Sequence, residues 1–263
     1  MNVIIVSIGI LFIAALMTMT GRGGGNFYVL ILVFAGQAIH QAATSAQFIL
    51  MLTAFSGTLI FHKHKLVDWK LALVIDPPTD VMALVGGYFS AYVSGIRMKF
   101  ILVGLLVLAG FLMLVRMKDK PISRRKKFGY WHRSYGGREY VVNLWLAIPI
   151  TAAVGLAAGA VGISGGSFKV PLMVLLCGVP MRIAVGTSSA MVAVTALMGF
   201  TGHLASGHFE AQWAIPVACA AVVGGIMGGK FAIKSKSEKL KKIFAYTTLA
   251  AAIFMLVNAL FTK

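Results

Sequence analysis

The sequence contains few charged residues and very few acidic ones. Of its 263 residues 12% are charged, and 7 Asp and Glu stand against 24 Lys and Arg. A soluble domain has roughly 25% charged residues, whereas 59% of this chain is hydrophobic. Because so little polar surface cannot cover a water-soluble globule, the composition argues against a soluble enzyme and against a disordered protein. It predicts a polytopic membrane protein.

The sequence also has few cysteines, and its start lacks the pattern of a signal peptide. The two cysteines, Cys177 and Cys219, both lie in apolar runs, so we interpret them as small buried hydrophobic residues. The start, Met1-Asn2-Val3, lacks the basic residues and the small-residue cleavage site of a signal peptide. The uncharged run 3–19 is therefore predicted to be a retained first helix.

The net charge of +17 is concentrated in two short stretches. Nine Lys and Arg lie between Arg116 and Arg138, and five lysines lie between Lys234 and Lys242. Both stretches connect apolar runs, where basic residues mark the cytoplasmic side of a membrane protein. This distribution argues against a nucleic-acid partner and indicates membrane lipids as the surroundings.

Ten apolar segments can be read along the chain, in two sets of five. In each set the second segment is shorter than the roughly 20 residues that a helix needs to span the bilayer. We therefore predict an all-α membrane protein with a first membrane repeat at 1–116, a basic cytoplasmic linker at 117–140 and a second membrane repeat at 141–263. The segments lie at about 3–19, 27–36, 40–61, 69–94, 99–116, 141–163, 167–178, 183–204, 212–233 and 242–261.

The two sets of segments are related in sequence. Five short motifs recur at an offset that stays between 141 and 144 residues, which indicates a duplicated unit of five segments. The matched pairs are Gly23-Gly24-Gly25-Asn26-Phe27 with Ser164-Gly165-Gly166-Ser167-Phe168, Thr44-Ser45 with Thr187-Ser188, Thr53-Ala54 with Thr195-Ala196, Trp69 with Trp213, and Gly86-Gly87 with Gly228-Gly229.

The charge of the loops predicts the orientation of the repeats. The loops 117–140 and 234–242 are basic and should be cytoplasmic, whereas 203–212 contains no Lys or Arg and should lie outside. Three segments lie between the inside loop that ends at 140 and the outside loop that starts at 203. A change of side needs an odd number of crossings, so all three segments must cross, including the short one. Counting crossings along the whole chain in the same way places both termini outside. An odd number of segments inverts the second copy relative to the first. Inverted repeats with short, glycine-interrupted segments indicate the midplane site of a secondary transporter.

The most specific stretch of the chain runs from Gly162 to Ser188. It reads G-I-S-G-G-S-F-K-V-P-L and then C-G-V-P-M-R-I-A-V-G-T-S, which resembles the TauE/SafE family of sulfite and sulfonate exporters and related permeases. The first copy, Gly21 to Ser45, keeps the glycines and the Thr-Ser pair but lacks the proline that follows the glycines. The resemblance implies a plasma-membrane carrier of small anions, often sulfur oxyanions or organosulfonates, without a bound cofactor.

The two glycine runs are predicted to interrupt helices and to form a substrate site. A break leaves backbone N–H groups unpaired, and Asn26 or Ser167 is expected to cap the following helix. A helix N-terminus carries about half a positive charge and favours an anion. The alternative is that the glycines only allow close helix packing and that the hydroxyls join helices. The predicted substrate-binding residues are Gly23, Gly24, Gly25, Asn26, Thr44, Ser45, Gly165, Gly166, Ser167, Lys169, Thr187 and Ser188.

Four charged residues in the apolar segments or the glycine runs are candidates for a functional role. Lys169 is expected either to attract the anion or to extend to the headgroups, and Arg22 has the same two interpretations, with the headgroups favoured. Asp76 and Asp80 are candidates for ion coupling, with an ion pair to a buried Lys or Arg as the alternative. The pair Pro77-Pro78 between them is expected to break the helix.

The sequence as a whole predicts a secondary transporter of a small anion that works by alternating access around a site between the two breaks. The alternatives are a passive anion channel, a non-transporting scaffold and an intramembrane enzyme, for which Asp76 and Asp80 would have to converge on one water. No metal or other cofactor is expected, and a homo-oligomer is left open.

Overall fold

The computed structural model describes residues 2–89, 95–114, 128–161, 166–204 and 209–261. In these ranges the chain forms ten helices and a two-stranded hairpin. The elements are α1 (Val3–Met19), α2 (Gly25–Phe34), α3 (Ile39–Lys63), α4 (Trp69–Phe89), α5 (Gly95–Leu114), β1 (Tyr130–Tyr135), β2 (Arg138–Asn143), α6 (Leu144–Val161), α7 (Gly166–Leu175), α8 (Met181–Leu204), α9 (Ala211–Lys234) and α10 (Ser237–Phe261).

The predicted helical membrane protein is confirmed, because each of the ten apolar segments forms a helix close to its expected bounds. Within the described residues, three helical stretches are long and apolar enough to cross a membrane: Gln41–Lys63, Met181–Thr201 and Ala211–Lys234. The helices α2 and α7 have 10 residues each, which is about 15 Å of helix. Both are therefore too short to span a bilayer alone, as the sequence predicts.

The hairpin is the one departure from the predicted all-helical fold in the described part of the chain. It was expected to be loop, but β1 and β2 pair as antiparallel strands in which Trp131 lies opposite Val142. The turn contains Gly136 and Gly137, both with positive φ, which is the backbone conformation that a tight two-residue hairpin turn requires. Tyr140 and Val142 are buried, and the Arg133 guanidinium stacks 4.7 Å from the Trp131 ring centre.

The chain divides into two compact units that do not follow the halves of the sequence. The first unit is Met1–Asp68 with Val185–Ser235, and the second is Trp69–Ala184 with Lys236–Lys263. The first unit thus contains α1, α2, α3, α9 and α8 from Val185 onward. The second contains α4, α5, α6, α7, α10, the hairpin and the start of α8. Each unit combines helices from both predicted repeats.

The same pairing of helices recurs inside each unit. In the first unit α1 packs along α9, and in the second α6 packs along α4. Because α1 and α6 are the first helices of their halves and α4 and α9 are the fourth, each pair joins a first helix to the fourth helix of the other half. A repeated sequence unit predicts this recurrence. The inverted orientation of the two copies stays a prediction.

Glycines bring these paired helices into backbone contact. On α9, a Cβ atom at Gly224 or Gly228 would collide with the carbonyl oxygen of Leu11 or Ala15 on α1. On α6, a Cβ at Gly155 would collide with the Thr79 carbonyl of α4. Small residues let membrane helices approach this closely, and the gain is van der Waals packing.

The helix α4 continues through Pro77 and Pro78, so the predicted break at this pair is wrong. Proline removes the N–H that would bond to the carbonyl four residues earlier, which affects Leu73 and Val74. A membrane helix tolerates this loss where neighbouring groups satisfy the freed carbonyls. As a result, Asp76 and Asp80 lie on one continuous helix, four residues apart.

Candidate functional site

The first glycine break separates α1 from α2. Gly21, Gly23 and Gly24 all have positive φ, between 72° and 91°, a conformation that glycine adopts without steric cost. Gly24 is the N-cap of α2 and makes no side-chain capping bond. The prediction that Asn26 caps this helix is therefore wrong: Asn26 is the second residue of α2, and its side chain lies outside the described ones.

The break is packed closely against α3 and α8. A Cβ at Gly21 would lie 2.6 Å from the Val185 carbonyl oxygen, and one at Gly25 would lie 2.7 Å from a methyl carbon of Leu50. Both distances are shorter than any ordinary carbon contact. These glycines thus have a packing role that is independent of any ligand, as the alternative interpretation of the sequence proposes.

Arg22 lies within the first break and is buried, with 6% of its surface exposed. The sequence favoured a side chain that reaches the headgroups, and this expectation is wrong, because the side chain is enclosed by protein. Arg22 was not among the predicted substrate-binding residues. The position of Arg22 between two glycines could have identified it, because a residue outside a regular helix is not fixed on a helix face that points to the surface.

The hydroxyl residues at the two Thr-Ser motifs are all buried in the first unit. Ser188 Oγ donates to the Gly21 carbonyl at 2.8 Å, and the Asp68 N–H donates to Thr187 Oγ1 at 3.0 Å. Ser45 Oγ has no hydrogen-bond partner among the described residues. A hydroxyl has only one proton to donate, so Ser188 is committed to the break, whereas the Ser45 donor is not.

The second break falls mostly outside the described residues. Gly165 lies there, together with the side chain of Ser167, so the structure does not describe these two predicted contacts. Gly166 is buried and begins α7, which makes Ser167 the second residue of that helix instead of its cap.

Lys169, on α7, is buried with 3% exposure and forms an ion pair with Asp76 of α4. Its Nζ atom also lies 3.9 Å from Asp80 Oδ1. The expectation that Lys169 extends to the headgroups is therefore wrong, and the alternative of an ion pair for the aspartates is what the structure contains. The contact brings together three residues that the sequence assigned to two different roles.

The two breaks belong to different compact units, the first with α1 and α2 and the second with α6 and α7. The first unit holds Arg22, the Thr-Ser motifs and the start of α2. The second holds the ion pair of Lys169 and Asp76. A single ligand site formed by both breaks stays a prediction.

Sequence comparison decides the family. The profile described as "Sulfite exporter TauE/SafE" matches residues 6–255. The chain belongs to the TauE/SafE family. This match extends over both glycine breaks and both Thr-Ser motifs, so it confirms the resemblance first seen in the second half.

Relatives of this TauE/SafE protein are named as membrane transporters. It is 24% identical to the "Probable membrane transporter protein YunE" of Bacillus subtilis (strain 168), over 93% of this chain and 94% of that protein. It is 28% identical to the "Probable membrane transporter protein MamO" of Magnetospirillum gryphiswaldense, over 97% of this chain but 45% of that protein. No solved structure matches the chain. Together with the apolar helices, these similarities identify a multi-pass membrane transporter.

Proposed function

We propose that this protein is a secondary transporter of a small anion, a sulfur oxyanion or an organosulfonate, in the plasma membrane. The family description names sulfite export, and the sequence repeat supports alternating access. The single observation that carries the anion assignment is the buried guanidinium of Arg22 inside the first break.

The chemistry of the first break fits a sulfonate or sulfite group. Arg presents a planar fork of N–H donors that matches two oxygens of an oxyanion at once. The N–H groups at the start of α2 precede the first helical hydrogen bond, in which Phe27 donates to the Gly24 carbonyl at 3.0 Å. Amides in the first turn of a helix have no acceptor within the helix, and they can bind an anion. Ser45, on the helix α3 that packs against α2, adds a hydroxyl with no other partner among the described residues.

We assign the cation of the proposed site to Arg22, because it lies inside the first glycine break and is buried there, and not to Lys169, which lies in the second unit. The carboxylate of Asp76 contacts the Lys169 ammonium, so the attraction of this ammonium for an anion is largely cancelled. The sequence-based proposal for Lys169 is thereby changed, while the glycines, Ser45 and Thr187 keep their proposed roles.

A binding screen on the purified protein tests the proposal. The panel contains sulfite, sulfate, thiosulfate, taurine, sulfoacetate and an aryl sulfonate, and the readout is the shift in thermal unfolding. A stabilising shift is expected for at least one of the panel, because a ligand that binds only the folded state stabilises it. No shift with any of these compounds would contradict the proposed substrate class.

Arg22→Met then tests the site. A charge-assisted hydrogen bond contributes about 1.5–3 kcal/mol, so the affinity for the best compound of the panel should fall roughly tenfold to a hundredfold. The matched control is Arg182→Met, which removes a guanidinium near the start of α8. Equal losses for both variants would show a general effect of net charge and would contradict the assignment to Arg22.

A flux measurement separates a carrier from a passive anion channel. Uptake of the best compound into proteoliposomes should saturate with its concentration, and an imposed ion gradient should drive it uphill. Flux that only follows the anion's own gradient would support the channel instead.

A further inference from the structure

The first glycine break lies opposite the middle of α3, in the first unit. A Cβ at Gly25 would lie 2.7 Å from a methyl carbon of Leu50, and one at Gly23 would also collide with Leu50. Leu50 is near the middle of α3 (Ile39–Lys63), and the stretch Gln41–Lys63 of this helix is long and apolar enough to cross a membrane. The short helix α2 therefore begins about halfway along a helix that can span the bilayer.

The side chain of Tyr28, the fourth residue of α2, reaches back to the start of that helix. Side chains on a helix lean toward its N-terminus, and here a Cβ at the N-cap, Gly24, would lie 3.1 Å from the Tyr28 Oη atom. Tyr28 is fully buried, with 0% of its surface exposed. A phenolic hydroxyl is therefore held inside the protein, beside the amides that are proposed to bind the anion.

The hydroxyl of Tyr28 has a weak partner within the protein. Its one acceptor among the described residues is Thr53 Oγ1 of α3, at 3.5 Å, whereas hydrogen bonds between two hydroxyl groups usually measure about 2.7–2.8 Å. Thr53 donates its own proton to the Ile49 carbonyl at 2.7 Å, so it cannot donate to Tyr28 in return. Buried hydroxyls are rarely left so poorly paired, which indicates that a ligand supplies the acceptor here.

The sequence repeat matches Tyr28 with Lys169, and each is the fourth residue of its short helix. Both side chains are buried donors. In the second unit the Lys169 ammonium contacts the carboxylate of Asp76. In the first unit the matched donor is neutral and lies far from its protein acceptor. The same position thus binds another part of the protein in one half and leaves a donor for a ligand in the other.

We propose that Tyr28 donates its hydroxyl proton to the anion at the first break and thereby sets a preference for sulfonates over carboxylates. This inference rests on the proposed function, because it adds a residue to that site. The amides of α2 and the Arg22 guanidinium can bind two oxygens of either acid group. A sulfonate has a third oxygen, outside the plane of the other two and the carbon, whereas a carboxylate has none. The Tyr28 hydroxyl is the donor for this third oxygen.

The depth of the break gives this hydrogen bond its effect on selectivity. Water competes little for a donor that is enclosed halfway along a spanning helix. A ligand without the third oxygen leaves the buried hydroxyl unpaired, and sites of this kind discriminate strongly against such a ligand. Because the hydroxyl is neutral, it adds this selectivity without a further positive charge that would hold the anion in place.

Pairs of compounds that differ only in their acid group test the proposed role. We choose taurine with β-alanine, methanesulfonate with acetate, and benzenesulfonate with benzoate, and the dissociation constants are measured on the purified protein. The wild type should bind the sulfonate of at least one pair about tenfold more tightly than its carboxylate, since a hydrogen bond to a charged group changes affinity by about this factor or more. A wild type that discriminates in no pair overturns the inference.

Tyr28→Phe removes only the hydroxyl group. It should lower the affinity for the preferred sulfonate roughly tenfold and leave that for the matched carboxylate within about threefold, so that the preference is lost. The thermal midpoint without ligand should stay close to that of the wild type, because the contact of the hydroxyl with Thr53 is long. An unchanged preference in Tyr28→Phe overturns the inference.

Thr53→Val is the matched control for a structural role of Tyr28. It removes the protein acceptor of the Tyr28 hydroxyl and keeps a branched side chain at the same place. If the hydroxyl only joins α2 to α3, the two variants should have the same effect on binding. If it contacts the anion, Thr53→Val should keep the preference for the sulfonate. An equal loss of preference in both variants overturns the inference.

Should Tyr28→Phe fail to fold, 3-fluorotyrosine at position 28 decides in its place. Its hydroxyl is a stronger hydrogen-bond donor, so the preference for the sulfonate should increase. An unchanged or smaller preference overturns the inference.

The inference and the proposed function fail in different ways. If panel anions bind and Arg22→Met weakens them, whereas Tyr28→Phe changes neither affinity nor preference, the role of Tyr28 is overturned and the proposed function stands. If no compound of the panel binds the wild type, the proposed function is contradicted, and the role of Tyr28 is overturned with it.

Discussion

Ser188 donates a hydrogen bond of 2.8 Å to the carbonyl oxygen of Gly21. The donor belongs to the Thr-Ser motif of the second half of the sequence, and the acceptor belongs to the glycine break of the first half. Both residues are buried in the first unit. The two motifs that identify the family are therefore in direct contact there, although 166 residues separate them in the chain (188 − 21 − 1).

Replacement of Ser188 should reduce stability, whereas replacement of its repeat equivalent should not. Ser188→Ala leaves the buried Gly21 carbonyl without this donor, which should cost about 1–3 kcal/mol. Ser45→Ala removes a buried hydroxyl that has no partner among the described residues, so stability should be unchanged. Thermal unfolding in detergent measures both. A larger loss for Ser45→Ala would show that Ser45 has a structural partner and would contradict its proposed role.

The ion pair of Lys169 and Asp76 should appear as a strong coupling in a double-mutant cycle. Removal of one partner from a buried pair costs about 3–5 kcal/mol, because it leaves an uncompensated charge. Lys169→Met and Asp76→Asn should each be strongly destabilising, and the double variant should cost much less than their sum. Additive losses in thermal unfolding would mean that the two residues do not stabilise one another.

The same Lys169→Met protein distinguishes two roles for the lysine. If Lys169 serves the ion pair with Asp76, its loss should leave the affinity for the best anion of the screen within about threefold of wild type. If it contacts the anion directly, as the sequence predicts, the affinity should fall roughly tenfold or more. The dissociation constant of the folded fraction decides between them.

The contact between α9 and α1 should tolerate no side chain at its glycines. Gly228→Ala places a Cβ against the carbonyl of Ala15, so the helices must separate and the thermal midpoint should fall. Gly9, on α1, provides the control, since nothing lies within 4 Å of an added Cβ. Gly9→Ala should be neutral or stabilising by up to about 1 kcal/mol, because Ala favours helix. Equal effects of the two substitutions would contradict the packing role of Gly228.

The predicted orientation in the membrane can be tested with single cysteines. In a background without Cys177 and Cys219, cysteines at Asn2 and Glu210 should react with an impermeant thiol reagent added outside. Cysteines at Ser134, in the hairpin, and at Ser237, at the start of α10, should be protected. If positions 210 and 237 react from the same side, the repeat of five crossing segments is wrong.

The sequence predicted the helices well and their local ends less well. Long apolar runs report membrane helices directly, since the bilayer imposes both their length and their composition. The cap of α2 was missed because the N-cap is Gly24, which has a positive φ and makes no side-chain hydrogen bond to the helix. A search for a capping side chain cannot find such a residue. The continuity of α4 was missed because the proline rule is drawn from helices in water, whereas a neighbouring membrane helix can satisfy the freed carbonyls.

The candidate site was predicted only in part. The glycine runs and Thr-Ser pairs could be identified because the repeat marks them twice. The contact of Lys169 with Asp76 could not, because the two aspartates have no counterpart in the second half and the pairing depends on which helices meet in the second unit. The burial of Arg22 was misjudged for a related reason: a basic residue near a helix end reaches the surface only where no other helix covers it.

Each unit combines helices from both halves of the sequence, and this has a consequence for how the protein is synthesised. The first five helices leave the ribosome before the helices that complete their units exist. During that interval Asp76 has no lysine from α7, and α1 has no glycine-lined face of α9 to pack against. Neither unit can close until most of the second half has been inserted. A chain cut at the linker would therefore yield two fragments that are each incomplete in both units, and that must meet in the bilayer before either unit can form.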